Sequence, residues 1–107
     1  MKQILEKAKT IIAEEVEKAG CKVNRTLLFG SRARGQARGD SDWDFYVVID
    51  KELGFHKRED VASQIRFRLA KQDIFADVFV QSEDVVNQRK ADTGYLTYYV
   101  LKEGVAI

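Results

Sequence analysis

Asp42 and Asp44 are separated by one residue and stand at the head of the apolar run Phe45-Tyr46-Val47-Val48-Ile49. Side chains two apart on a strand point to the same side. Carboxylates so placed either push each other's protonation state upward or share a divalent cation. A third acid, Asp77, stands alone among the apolar neighbours of Ile74-Phe75-Ala76-Asp77-Val78-Phe79-Val80. A charged aspartate inside such a strand is costly without a partner. If the strands carrying these acids are neighbours, Asp42, Asp44 and Asp77 converge. Without a cation, each pair at about 4 Å would repel by about 4 kcal/mol at an effective dielectric of about 20. Mg²⁺ reverses that sign, and oxygen ligands suit it. Two such ions would stabilise both the attacking and the leaving oxygen of a displacement.

Just upstream, Gly30 permits a tight turn in which backbone can approach a ligand, and Ser31 is a good helix N-cap that also supplies a hydroxyl. The amides that open a short helix there would face a phosphate. Arg32 and Arg34 add cationic donors, with Arg38 as a third candidate. Arg34 is equally suited to pairing with a strand carboxylate. The glycine spacing and the absence of a lysine separate this stretch from a P-loop or a dinucleotide fingerprint. Alone, either short motif would read as a turn and a solvated loop. Together, a phosphate cradle and a metal seat within Leu27–Asp50 point to chemistry on a nucleoside triphosphate. Asp73 is an alternative third carboxylate but falls at the strand's start, where a turn is expected, and Asp40 and Asp50 read as solvated loop acids.

The elements that must position these groups follow from periodicity. Residues 2–19 form an amphipathic helix with Ile4, Leu5, Ala8, Ile11, Ile12, Val16 and Ala19 on one face, stopped by Gly20. A strand over 23–29 ends in Leu27-Leu28-Phe29. A short helix covers 31–36 and a loop covers 35–41. The strand over 42–50 has Asp42, Asp44, Tyr46 and Val48 on one face and Trp43, Phe45, Val47 and Ile49 on the other. Apolar groups on both faces mark it as central. A helix over 57–71 points Val61, Ala62, Ile65 and Leu69 inward. The strand over 74–80 follows. Ser82 then starts a helix over 83–102, interrupted near Gly94, with Glu83 and Asp84 where its dipole favours acids. Residues 105–107 form a short edge strand. The fold class is α+β, a small mixed sheet flanked by helices in one domain over 1–107.

Of the 107 residues, 33% are charged and 45% are apolar, an ordinary globular balance. The net charge of +1 gives no general drive toward nucleic acid. No run approaches the roughly 20 apolar residues of a membrane span, and no signal-peptide pattern is present. The single cysteine, Cys21, reads as a small buried residue and fits a cytoplasmic setting. The single histidine, His56, reads as surface and excludes a usual zinc site. Lys57, Arg58, Arg66, Arg68 and Lys71 give the 57–71 helix a basic, solvated outer face. Tyr95, Leu96, Tyr98, Tyr99 and Val100 form an aromatic stripe, with core packing as the first reading and a subunit interface as the second.

The composite of Gly30-Ser31-Arg32-Ala33-Arg34-Gly35, Ser41-Asp42-Trp43-Asp44 and Ala76-Asp77-Val78 resembles the polymerase-beta-type nucleotidyltransferases. Within them it is similar to the minimal nucleotidyltransferase branch, the MntA-type antitoxins, whose closing residues are also similar to Lys102-Glu103-Gly104-Val105. The resemblance implies the nucleotidyltransferase fold and Mg²⁺-dependent transfer of a nucleoside monophosphate, AMP from ATP or another NTP. It implies that Gly30 and Ser31 bind the triphosphate, that Asp42 and Asp44 hold metal, and that Asp77 completes the site and accepts the proton of the attacking hydroxyl. It further implies a HEPN-domain toxin as partner, with a tyrosine as acceptor. A chain this small holds no separate acceptor domain, so a complex or homo-oligomer would complete the site. Two other readings stand beside this one. One is a non-catalytic antitoxin acting by binding alone; the other is an aminoglycoside-type small-molecule nucleotidyltransferase.

Overall fold

The structure, a computed structural model, describes residues 2–39 and 41–107. Asp40, read above as a loop acid, lies outside them. The chain runs α1 (Lys2–Lys18), β1 (Val23–Phe29), α2 (Gly30–Ala33), β2 (Trp43–Ile49), α3 (Phe55–Ala70), β3 (Ala76–Ser82), α4 (Glu83–Arg89), α5 (Leu96–Glu103) and β4 (Val105–Ala106). The α+β reading and the mixed sheet are borne out. Four strands lie in the order β3-β2-β1-β4. β1 pairs antiparallel with β2 and β4, whereas β2 and β3 are parallel, as a strand–helix–strand crossover through α3 requires.

The two faces of β2 build two cores. Trp43, Phe45, Val47 and Ile49 pack with Leu28 under Ala8, Ile11, Ile12 and Val16 of α1 and Val61, Ala62, Ile65 and Leu69 of α3. On the other face, Tyr46 and Val48 meet Leu27, Val86 of α4 and Val100 of α5. The alternation expected for this strand is therefore met on both sides.

Two expected elements, the 31–36 helix and the 74–80 strand, are changed for local physical reasons, whereas the break near Gly94 and the Ser82 cap are as expected. The 31–36 helix is a single turn, Gly30–Ala33, and Ser31 does not cap it: the N-cap position is Phe29, with no side-chain hydrogen bond. The 83–102 helix is two helices, and the interruption spans residues 90–95 around Gly94. Ser82 does cap α4, its Oγ accepting from the Val85 N–H at 3.3 Å. β3 begins at Ala76 and is an edge strand, so Asp77 is exposed where a buried position was expected. Phe75 and Phe79 are exposed with it, at 60% and 42%. The burial cost reckoned for Asp77 from its apolar neighbours therefore does not arise.

Candidate active site

The parallel register aligns Asp44 of β2 directly with Asp77 of β3. Paired positions on neighbouring strands share a face and lie about 4.8 Å apart. The same row continues to Phe29 of β1, the partner of Asp44 on the other side. The end of β1 and the single-turn α2 thus abut the carboxylate pair. Asp42 lies just ahead of β2 and is exposed.

Gly30 fixes that junction. Its φ of +74° is a left-handed conformation that side-chain-bearing residues avoid. A Cβ at this position would collide with the Asp44 carboxylate and reach its Cγ at 3.2 Å. Only a glycine lets the backbone turn this close to the acid. Burial raises the pKa of Asp44 above the usual carboxylate range. The negative charges of Asp77 and then Asp42 raise it further, while Arg34 opposes them. Asp44 is thus the point at which three acids and one arginine meet electrostatically.

Neither Asp44 nor Asp77 has an ion-pair partner among the described residues. No group of three His, Cys, Asp or Glu side chains is gathered there into a ready-made metal cage either. Asp42 and the facing pair form no such ready-made group, though the charge of Asp42 reaches Asp44. The donor set still fits Mg²⁺. That ion prefers oxygen, keeps several waters and is commonly held by one or two carboxylates together with substrate phosphates. A divalent charge would also relieve the mutual repulsion that lifts the Asp44 pKa.

The arginines divide. Arg34 is exposed, donates from Nε to Gln36 Oε1 at 3.1 Å, and sits within electrostatic reach of Asp44. Arg32, expected at the nucleotide, is engaged elsewhere. Its Nη2 donates to the Ser41 carbonyl at 2.7 Å and the Gly39 carbonyl at 3.3 Å, and its guanidinium stacks 4.1 Å over the Trp43 ring. Trp43 belongs to the α1/α3 face, opposite Asp44. Arg32 therefore anchors the loop that delivers Asp42. Asp73 is a turn residue with φ +59° at the end of α3, as expected.

A cleft of about 440 Å³ opens beside Asp77, between β3, α3 and the segment that links α4 to α5. Phe79, Tyr95, Arg58, Arg66 and Arg89 line it. These arginines were missed as site residues because helical periodicity places Arg58 and Arg66 on a polar face and says nothing of the strand edge beside it. At its floor, Tyr46 Oη and Thr97 Oγ1 are 2.6 Å apart in a buried hydrogen bond. Burial pushes the Tyr46 phenol pKa upward despite that bond. The aromatic stripe is only partly core: Val100 is buried, but Tyr95, Leu96 and Tyr99 are 41%, 42% and 48% exposed.

The chain belongs to the polymerase beta nucleotidyltransferase family: the family model described as "Polymerase beta, Nucleotidyltransferase" matches residues 2–107. Among solved structures, it is similar to one described as "Crystal structure of the toxin-antitoxin with AMP-PNP". The two share 19% identity at a TM-score of 0.53, over 91% of this chain and 69% of the other. At that identity the likeness speaks to the fold. No curated protein matches the chain. No helix among the described residues is long and apolar enough to cross a membrane.

Proposed function

We propose that this nucleotidyltransferase domain transfers AMP from ATP to a hydroxyl of a partner protein, and that it serves as the antitoxin of a toxin–antitoxin pair. The expected acceptor is a tyrosine of a HEPN-domain toxin. The observation that carries the reading is the facing of Asp44 and Asp77 across β2 and β3, with the Gly30 backbone turned against Asp44. The partner reading draws on the solved toxin–antitoxin fold and its AMP-PNP ligand.

The triphosphate lies along the Gly30–Ser31 turn, where backbone amides and the Ser31 hydroxyl donate to it. Arg34 adds a cation on the same side. Asp42, Asp44 and Asp77 are the residues that would hold Mg²⁺, which supplies charge neutralisation of the phosphates when bound. Asp77 receives the acceptor and takes its hydroxyl proton, a role that its exposure at the strand edge supports. The carboxylates and the glycine turn hold the α-phosphorus in line between acceptor and leaving pyrophosphate, so orientation contributes most of the effect. Arg32 acts indirectly, through the loop bearing Asp42.

The test combines purified protein, the product of the neighbouring gene, ATP labelled at the α-phosphate and Mg²⁺. Label should pass to the partner and disappear with Asp42→Asn/Asp44→Asn. The exposed Tyr95, Leu96 and Tyr99 favour one second reading, neutralisation by binding alone. If the double variant neutralises the partner as well as the wild type does, binding is the activity and transfer is not.

A further inference from the structure

The cleft beside Asp77 is set apart from the phosphate turn: Gly30, Ser31, Asp42 and Asp44 are not among the residues that line it. An in-line displacement needs the acceptor and the leaving group on opposite sides of the phosphorus. If pyrophosphate leaves toward Gly30–Ser31, the acceptor comes from the far side of Asp77, where this cleft opens.

The cleft has a consistent chemistry. Arg66 and Arg89 have no carboxylate within ion-pair distance among the described residues. Arg66 donates only to Ser63 Oγ, at 3.0 Å, and Arg89 stacks 4.3 Å over Tyr95. Arg58 lies 3.3 Å from Glu52, yet its buried Nε has no hydrogen bond. Arg66 and Arg89 thus bring guanidinium groups without a carboxylate partner to one cleft, while the Nε of Arg58 is held against Glu52. The acids on its walls are Glu59 and Asp77. β3 is also the edge of the sheet, so half of its backbone N–H and C=O groups lack a strand partner. Arg58 and Arg66 are eight residues apart on α3, about 12 Å along the helix axis. That matches three to four residues of extended chain.

We propose that this cleft is the acceptor subsite and takes an extended acidic segment that presents its hydroxyl at Asp77. The segment lies along the free edge of β3, its carboxylates meet Arg66 and Arg89, and an aromatic ring beside the hydroxyl rests against Phe79 and Tyr95. In the reaction, the acceptor oxygen bonds to the α-phosphorus of the nucleoside triphosphate and its proton passes to Asp77. The bond from that phosphorus to the bridging oxygen breaks, and pyrophosphate leaves with the electron pair. This inference rests on the nucleotidyl-transfer reading.

The experiment measures fluorescence anisotropy of a fluorescein-labelled peptide, a tyrosine flanked by glutamates, with the chain alone and no nucleotide. A lysine-flanked counterpart is the control. The acidic peptide should bind at least about tenfold more tightly than the basic one and weaken as salt rises. Arg66→Glu/Arg89→Glu should abolish that preference, and the milder Arg66→Ala/Arg89→Ala should weaken it by about tenfold while circular dichroism verifies the fold. Equal affinity for both peptides, no binding of either, or unchanged binding by a folded double variant would each overturn the proposal. Calorimetry of Mg²⁺–ATP with the wild-type chain tests the underlying reading separately: no nucleotide binding there defeats the transfer reading whatever the peptide does.

Discussion

Strand β2 serves two halves of the molecule at once. Its odd-numbered residues are sealed beneath α1 and α3, with Phe45, Val47 and Ile49 fully buried. Its even-numbered residues begin with Asp44 at an open row and end under the shorter α4 and α5. On the sealed side, even the buried charge is partnered. Glu15 meets Lys18 at 3.0 Å and Arg68 at 2.8 Å, and Arg68 also meets Glu14 at 2.8 Å. On the open side, Asp44 and Asp77 face each other without a cation in ion-pair range among the described residues. The difference teaches where this fold keeps stability and where it tolerates conflict. Unbalanced charge persists at the open row, while the opposite face holds the larger packed core.

Core truncation should break that comparison most severely. Phe45→Ala removes a fully buried ring and should cost about 3–5 kcal/mol, a large share of the roughly 5–15 kcal/mol of a small domain. Urea unfolding would register it as a lower midpoint at an unchanged slope. Asp44→Asn should do the reverse. Transfer should fall on the order of 10³-fold, about 4 kcal/mol of barrier. Stability of the metal-free protein should stay level or rise by about 0.5–1 kcal/mol. The sign follows from the raised pKa. The folded state favours protonated Asp44, a contribution complete below its ordinary value of 3.8 and lost as pH rises through the raised one. At neutral pH the ionised group is therefore a net cost, and removing it helps. Unfolding with EDTA present, set beside label transfer, separates the two effects.

Gly30→Ala sharpens the boundary between the halves. The strained φ and the collision with Asp44 should together cost about 1–3 kcal/mol and reduce transfer by about 10²-fold. A thermal melt and an initial-rate assay read the two. The smallest effect belongs to the sealed side's ion cluster. Burial alone would raise the Glu15 pKa, but hydrogen bonds from Lys18 and Arg68, with their charges, bring it below 4.5. Glu15 thus stabilises the fold above about pH 4.5, and that contribution fades as pH falls through its lowered value. Glu15→Gln should cost about 1 kcal/mol at pH 7 and flatten the acid side of the stability profile.

Much of the fold was legible because local pattern decides it. The two apolar faces of 43–49, the Ser82 cap and the stripe of α1 each follow from a period or a side-chain hydrogen bond. The pairing of Asp44 with Asp77 was legible only as a conditional, since strand order and parallel register depend on how α3 crosses the sheet. The burial assigned to Asp77 failed for that reason: an apolar run reads alike at a sheet's centre and at its edge. The loop contacts of Arg32 were not legible because its partners are carbonyls, at Gly39 and Ser41, and every residue type offers a carbonyl. Arg58 and Arg66 come from α3 and Arg89 from α4, and the two helices bring them to one cleft only once β3 is the edge between them.

The central claim is that Asp44 and Asp77 work as one site on a nucleoside triphosphate. The most direct test compares wild type with Asp77→Asn, whose exposed position makes a folding defect a poor rival explanation. Transfer of label from ATP to the partner is followed with and without Mg²⁺. The account predicts Mg²⁺-dependent labelling by the wild type and loss on the order of 10²-fold or more in the variant. Equal labelling by the two proteins, or labelling that persists in EDTA, would contradict it.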